Sequence, residues 1–234
     1  MKLSWLGLVL LFVVIVVGDQ IRLGRPDHKF RLTIEVETPG GVKSVSNVMS
    51  VTPNRGYGGS GAGESSMPRL RGDALFVDFG GGRNLVVLLA HDNDGREGEG
   101  MVFLPMRAYR AAGNDIQFRD VRRMTKPVPV TGDLMPLMIS FADEDRPQTA
   151  RRVAPDRLDQ VLGPGYRLKG LTLAAVPNGL WPFDFGSMLG EPVTRSIERE
   201  IAWLIKAGDP AARALAAANI RVGETMTAES AFRR

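Results

Sequence analysis

KFRLTIEVETPGGVKSVSNVMSV, residues 29–51, alternates apolar and polar side chains from its second position. Phe30, Leu32, Ile34 and Val36 fall on one side of an extended chain, with Arg31, Thr33, Glu35 and Glu37 on the other. That period of two predicts a strand buried on one face. Thr38-Pro39-Gly40-Gly41 supplies turn residues, and Val45, Met49 and Val51 continue the apolar face on the way back. The reading is an antiparallel hairpin at the start of the globular part of the chain.

A second hairpin follows from the same logic. Leu75 to Phe79 and Asn84 to Leu89 flank Gly80-Gly81-Gly82, and the second arm is apolar almost throughout, which predicts a central strand covered on both faces. Further strands are expected at Met101 to Leu104, Ile116 to Val121, Pro136 to Phe141 and Tyr166 to Val176. Helices are expected late. Pro155 to Leu162 forms a short one, closed by Gly163-Pro164-Gly165. Val193 to Ile205 places Ile197, Ile201, Leu204 and Ile205 on one stripe. Asp209 as N-cap with Pro210 at the first helical position opens a last helix ending near Asn219. The fold class expected is α+β, mainly β: antiparallel sheets of hairpins with helices towards the C-terminus, preceded by one N-terminal apolar helix. One β-rich globular domain is read over residues 28–220, with a frayed tail over 221–234.

The apolar helix is LSWLGLVLLFVVIVVG, Leu3 to Gly18, part of an N-terminal segment over residues 1–20. It lacks the polar positions at a 3.6 period that a core helix would show, so it is read as membrane-directing, with the lipid bilayer as its partner. Sixteen residues at about 1.5 Å each span about 24 Å against a hydrocarbon core of about 30 Å. An uncleaved anchor, extended by Ile21 and Leu23, is favoured over a cleaved signal whose Val16 and Gly18 copy the small-residue pattern poorly. Arg22, Arg25, Lys29 and Arg31 after the segment contest the orientation that Lys2 sets. The reading is a bacterial inner-membrane protein with a periplasmic domain, or a periplasmic protein if the segment is cut.

Thirty Lys and Arg against 26 Asp and Glu give a net charge of only +4. The densest basic run, Arg119, Arg122, Arg123 and Lys126, contains Asp120 and lacks interleaved aromatics, so it is read as a solvated face and no nucleic-acid partner is expected. The absence of cysteine excludes disulfides, thiolate nucleophiles and thiolate metal sites.

No catalytic motif is complete. Gly56 to Ser65 contains a P-loop-like spacing, but Glu64 stands where the phosphate-binding lysine belongs, and Pro68 follows where a dinucleotide fingerprint needs a helix. No nucleotide or other cofactor is expected. Arg71-Gly72-Asp73 is a common tripeptide. Asp92, Asp94, Glu97 and Glu99 resemble part of a calcium loop, yet Gly95 at its sixth position puts Ala90 at the first and Met101 at the twelfth, so both key ligands are missing. The candidates for chemistry, should the chain be an enzyme, are His91 with Asp92 as an oriented base, and the carboxylates of Asp94, Asp143 and Asp145. A carboxylate- or metal-dependent hydrolase of the envelope is that alternative. Trp181, Phe183 and Phe185 read as a loop plugged into the core or lying at a bilayer interface.

Three stretches, FRLTIEVETPGGVKS (30–44), DLMPLMISFADEDRPQTARRVAPDRLDQVLGPGYRL (133–168) and EPVTRSIEREIAWL (191–204), resemble a group of bacterial envelope proteins with a signal or anchor before this domain. The resemblance implies a bacterial source and an envelope address, and no activity or functional residue comes with it. The functional expectation is a membrane-anchored or exported binding or structural module, with an envelope protein as its possible partner.

Overall fold

The computed structural model describes residues 26–52, 68–92, 100–179, 190–221 and 226–234, together with Gly7, Leu10 and Leu11. These last three are helical; the rest of the Leu3 to Gly18 segment lies outside the described residues. So do the Gly56 to Ser65 loop, Asp94, and Trp181 with Phe183 and Phe185. Among the described residues, no helix is long and apolar enough to cross a membrane.

The first hairpin forms as its alternation requires. β1 (His28–Thr38) and β2 (Gly41–Thr52) pair antiparallel from His28 opposite Val51 to Thr38 opposite Gly41. Phe30, Leu32, Ile34 and Val36 are all buried, while the intervening side chains are partly exposed. Gly41 sits at φ +115°, which explains a glycine just after Pro39-Gly40. The second half of β2 is buried on both faces. Beyond β3 (Arg69–Arg71), its outer edge at Val48 is covered by Thr194, whose N–H donates to the Val48 carbonyl (2.9 Å) and whose hydroxyl accepts the Val48 N–H (3.0 Å).

β9 (Arg167–Val176) flanks the other side of β1, with a bulge at Glu35/Val36, and β6 (Val128–Pro129) closes a five-stranded antiparallel sheet in the order β3-β2-β1-β9-β6. The second sheet is also antiparallel, in the order β4 (Leu75–Gly80), β5 (Arg83–Val87), β7 (Met138–Phe141), β8 (Ala150–Arg152). β5 is central, and Asn84 to Leu89 are all buried. Both sheets feed one continuous hydrophobic core. Asn47 ties them together: its amide donates to the carbonyls of Asp73 (3.1 Å) and Ala74 (2.9 Å), just ahead of β4.

The architecture is therefore α+β with antiparallel sheets, and, apart from Gly7, Leu10 and Leu11, the described helices begin at Gly100 or later. Several local expectations fail. Met101 to Leu104 belongs to a helix, α1 (Gly100–Ala111), in which Met101, Leu104, Pro105 and Ala108 are buried at helical spacing. Four apolar residues in a row fit either period, and the continuation to Ala108 settles it. Ile116 to Val121 forms no strand: Phe118–Arg123 is a 3₁₀ helix, closed by the Asp120 carboxylate accepting the Gln117 N–H (3.0 Å).

α2 (Leu158–Leu162) is shorter than expected. The single helix expected over Val193 to Ile205 breaks at Ile201 into α3 (Ile197–Glu200) and a 3₁₀ turn over Ala202–Ile205. The break rotates Trp203 inwards and leaves Ile205 65% exposed. Trp203 Nε1 donates to the Glu144 carbonyl (2.7 Å), and its ring meets Phe141 and Phe232 edge-on. α4 (Pro210–Ala217) starts as read, with the Asp209 carboxylate accepting the Ala212 N–H (3.1 Å).

The C-terminal residues, expected to fray, are packed. Ala231 and Phe232 are fully buried, and Gly72 and Arg234 exchange backbone hydrogen bonds at 2.8 and 2.9 Å. A short 3₁₀ turn, Glu229–Ala231, aims Phe232 at Trp203.

Candidate functional site

β5 and β7 position the acidic candidates. Leu88 N–H donates to Leu137 O and Leu137 N–H to Ala90 O, both at 2.8 Å, so the chain leaving β5 reaches His91 and Asp92 beside the start of β7. Asp143 and Asp145 follow the end of β7. Six residues separate Leu137 from Asp143, about 20 Å of extended chain. The two sets of candidates therefore stand at opposite ends of one strand and share no site.

Each candidate has its own commitments. His91 is 5% exposed, and its Nε2 donates to the Leu134 carbonyl (3.0 Å). The Asp92 carboxylate turns to Arg152, which reaches it from the end of β8. Asp143 accepts from Arg146 and from the Asp145 N–H, and these two contacts, with Arg146 the stronger, hold its carboxyl below the usual carboxylate range. Glu144 between them shifts upwards, first through partial burial and then through the negative charges of Asp78, Asp145, Glu200 and Asp143. Among the described residues, no group of three or more His, Cys, Asp or Glu is arranged to hold a metal ion. Asp73 of the Arg71-Gly72-Asp73 tripeptide is buried; its carboxylate caps α3 by accepting the Ile197 N–H (3.1 Å).

The surface does carry two adjoining clefts that sequence reasoning missed. One, of about 420 Å³, has an apolar floor that includes Met135, Leu137, Met138 and Val153, and a rim of Asp92, Asp133, Asp156 and Arg152. The other, of about 350 Å³, is walled by Glu37, Asp156, Asp159, Tyr166 and Arg167. Pro155 and Asp156 line both. Among the described residues, the two clefts together present five carboxylates against two guanidiniums, one of which is bound to Asp92. Nothing in the spacing of these residues signals this, because Glu37, Asp92, Asp133 and Asp156 meet only through the packing of four separate loops and strand ends.

Glu37 lies one residue from the end of β1, so the clefts sit at the end of the five-stranded sheet opposite His28. At the other end the chain enters the domain, and it does so firmly. The Asn178 amide donates to the carbonyls of Pro26 (2.9 Å) and Asp27 (3.3 Å). Lys29 is fully buried and donates to the Glu191 carbonyl (2.7 Å), while Arg31 pairs with the Glu191 carboxylate. His28 is buried against Phe118 and Phe30, with neither ring nitrogen hydrogen-bonded, and burial drives its pKa down to about 4. Comparison with protein-family models, curated proteins and solved structures finds no match to this chain.

Proposed function

We propose that this chain is a binding or structural module of the bacterial envelope, held at the inner membrane by Leu3 to Gly18 with its domain on the periplasmic side. The observation that supports this reading is the polarity of the domain along β1. The chain enters at His28, where backbone and side-chain hydrogen bonds fix its position, and the two clefts, one of them with an apolar floor, open some ten residues away at the other end of the strand. Ten residues of antiparallel strand measure about 34 Å. A domain tethered at one end and concave at the other presents its recognition surface away from the bilayer.

The hydrolase alternative gains no support from the placement of its described carboxylates. Asp92 is paired with Arg152, Asp143 is paired with Arg146, and β7 lies between the pairs. An acid and a base that divide the work of hydrolysis need to face one reacting bond.

A C-terminal reporter fusion scored on both sides of the membrane, combined with mass analysis of the mature N-terminus, tests the reading. The expected result is a full-length chain in the membrane fraction with the reporter outside the cytoplasm. Recovery of the full-length chain as a soluble cytoplasmic protein overturns it.

A further inference from the structure

The basic run read from the sequence as a solvated face takes on another meaning from its place in the fold. The 3₁₀ helix Phe118–Arg123 packs against the first residue of β1, with the Phe118 and His28 rings 4.9 Å apart and edge-on. The segment after it is pinned to β9 beside that point: Met124 O accepts the Ala175 N–H (3.1 Å), and Ala175 pairs with Phe30. The Tyr109 hydroxyl holds the same segment through the carbonyls of Met124 and Lys126. Val121 points inwards, and Arg119, Arg122, Arg123 and Lys126 are all exposed.

The other flank of the same sheet end is also basic. Val51 pairs with His28, its neighbours Thr52 and Ser50 pair with Arg69 and Arg71 on the edge strand, and both arginines are exposed. β3 stands two strands from β1, about 10 Å away. Among the described residues the acids at this end are fewer. Asp115 precedes the run, the Asp120 carboxylate is engaged by the Gln117 N–H, Asp27 is half-buried, and Glu191 is taken by Arg31. The opposite end of the sheet carries the acidic clefts. The far end mixes these acids with the exposed Lys43, Arg157, Arg167 and Lys169, whereas the end where the chain enters gathers six exposed cations, Arg69, Arg71, Arg119, Arg122, Arg123 and Lys126.

We infer that this end of the domain is a docking face for anionic lipid headgroups, with Arg119, Arg122, Arg123 and Lys126 as its main contacts and Arg69 and Arg71 at its margin. The inference rests on the membrane reading of Leu3 to Gly18. Seven residues separate Gly18 from Pro26, a reach of about 25 Å at full extension, so a tether holds this end within about that distance of the membrane and leaves contact with the headgroups to the charges. Cations held there gain from an anionic surface at about one kcal/mol each, a factor of about five in the ratio of docked to undocked domain. The bidentate geometry of guanidinium suits lipid phosphate, and three of the four main cations are arginines.

The chain has no cysteine, so Thr125→Cys places a single label on the exposed face beside the run. Full-length protein carrying a fluorophore there is mixed with phosphatidylcholine vesicles, or with vesicles that also contain an equal share of phosphatidylglycerol, each with a headgroup-borne quencher. Flotation with the neutral vesicles reports the apolar segment alone, and its failure overturns the anchoring reading. Quenching reports the docking face. The expected result is strong quenching in the anionic vesicles and little in the neutral ones. The signal disappears at about 1 M salt, where the screening length is about 3 Å. It also falls by an order of magnitude or more in the Arg119→Gln, Arg122→Gln, Arg123→Gln, Lys126→Gln combination. A label at Asp159→Cys, on the far end, stays unquenched. Equal quenching at position 125 in the two lipid mixtures, or insensitivity to salt in the unaltered chain, overturns the docking face whether or not the protein floats.

Discussion

Lowering the pH should unlatch the start of β1 through His28. The ring is 1% exposed, packs against Phe118 and Phe30, and has no hydrogen bond to either nitrogen; desolvation lowers its pKa from 6.5 to about 4. A proton on this ring is therefore tolerated in the unfolded chain and penalised in the folded one. The unfolded state binds more protons between the two values, so stability from this group is complete above pH 6.5 and is lost as the pH falls towards 4. At about 1.4 kcal/mol per pH unit, the loss across that window is about 3 kcal/mol, a large share of the stability of a domain of this size. His28→Phe keeps an aromatic ring against Phe118 and cannot be protonated. Urea unfolding followed by far-ultraviolet circular dichroism, at half-unit steps from pH 7 to pH 4, should show the unaltered chain losing about 3 kcal/mol more than the variant. The ring can also be followed directly, because the chain has only two histidines and their carbon-bound protons are separable by NMR. A His28 resonance titrating near 6.5, or parallel stability curves for the two proteins, would refute the reasoning.

Three substitutions probe the joints of the fold. Asn47→Ala leaves the Asp73 and Ala74 carbonyls without their buried donor and should cost about 2 kcal/mol in denaturant unfolding, whereas Asn47→Asp, which cannot donate, should cost at least as much. Phe232→Ala empties a fully buried site against Trp203 and should cost about 3–5 kcal/mol, with a matching rise in proteolysis of the C-terminal residues; a loss below about 1 kcal/mol would return the end of the chain to the status of a tail. Asp209→Ala removes the cap of α4 and should cost about 1 kcal/mol, readable as a lowered midpoint with unchanged denaturant slope.

The first hairpin was legible because Phe30, Leu32, Ile34 and Val36 obey a period of two over a length that no helix of the same sequence could bury. The Asp209-Pro210 start of α4 was legible because a cap is a local device, made by residues adjacent in the chain. What escaped reading depends on distant partners. β3, β6 and β8 are two or three residues long, and each exists only because a longer strand offers it an edge. α1 was misread because its apolar run was judged over four residues, when Ala108 and Tyr109 complete its buried face. Ile201 breaks a pattern that local periodicity would continue, since Trp203 gains more by reaching Glu144, Phe141 and Phe232 than Ile205 would by lying on the stripe. Of the candidate site, Asp92 was found as a residue but not as part of a rim, because Asp133 and Asp156 come to it from loops 41 and 64 residues along the chain.

The start of β1 carries an unusual concentration of buried polar groups for a strand that is otherwise an apolar-in, polar-out ribbon. His28 and Lys29 are both fully within the fold, although burying an imidazole and an ammonium costs more than burying two aliphatic chains would. What the arrangement secures is position. Lys29 fixes the Glu191 segment, Asn178 holds the backbone at Pro26 and Asp27, and His28 seats the 3₁₀ helix that carries the basic run. All of these contacts converge within three residues of where the chain passes towards its apolar segment. In the proposed membrane-anchored arrangement, this junction fixes the basic face relative to the point where the chain enters the domain. The acid sensitivity of His28 and the salt sensitivity of the basic face should therefore be linked: below about pH 4, where the imidazole gains its proton in the folded chain, the packing of Phe118 against it should loosen and with it the 3₁₀ helix that carries Arg119, Arg122 and Arg123. Docking to anionic vesicles should weaken in that range even as carboxylate protonation makes the domain more positive, a direction opposite to the one that charge alone dictates.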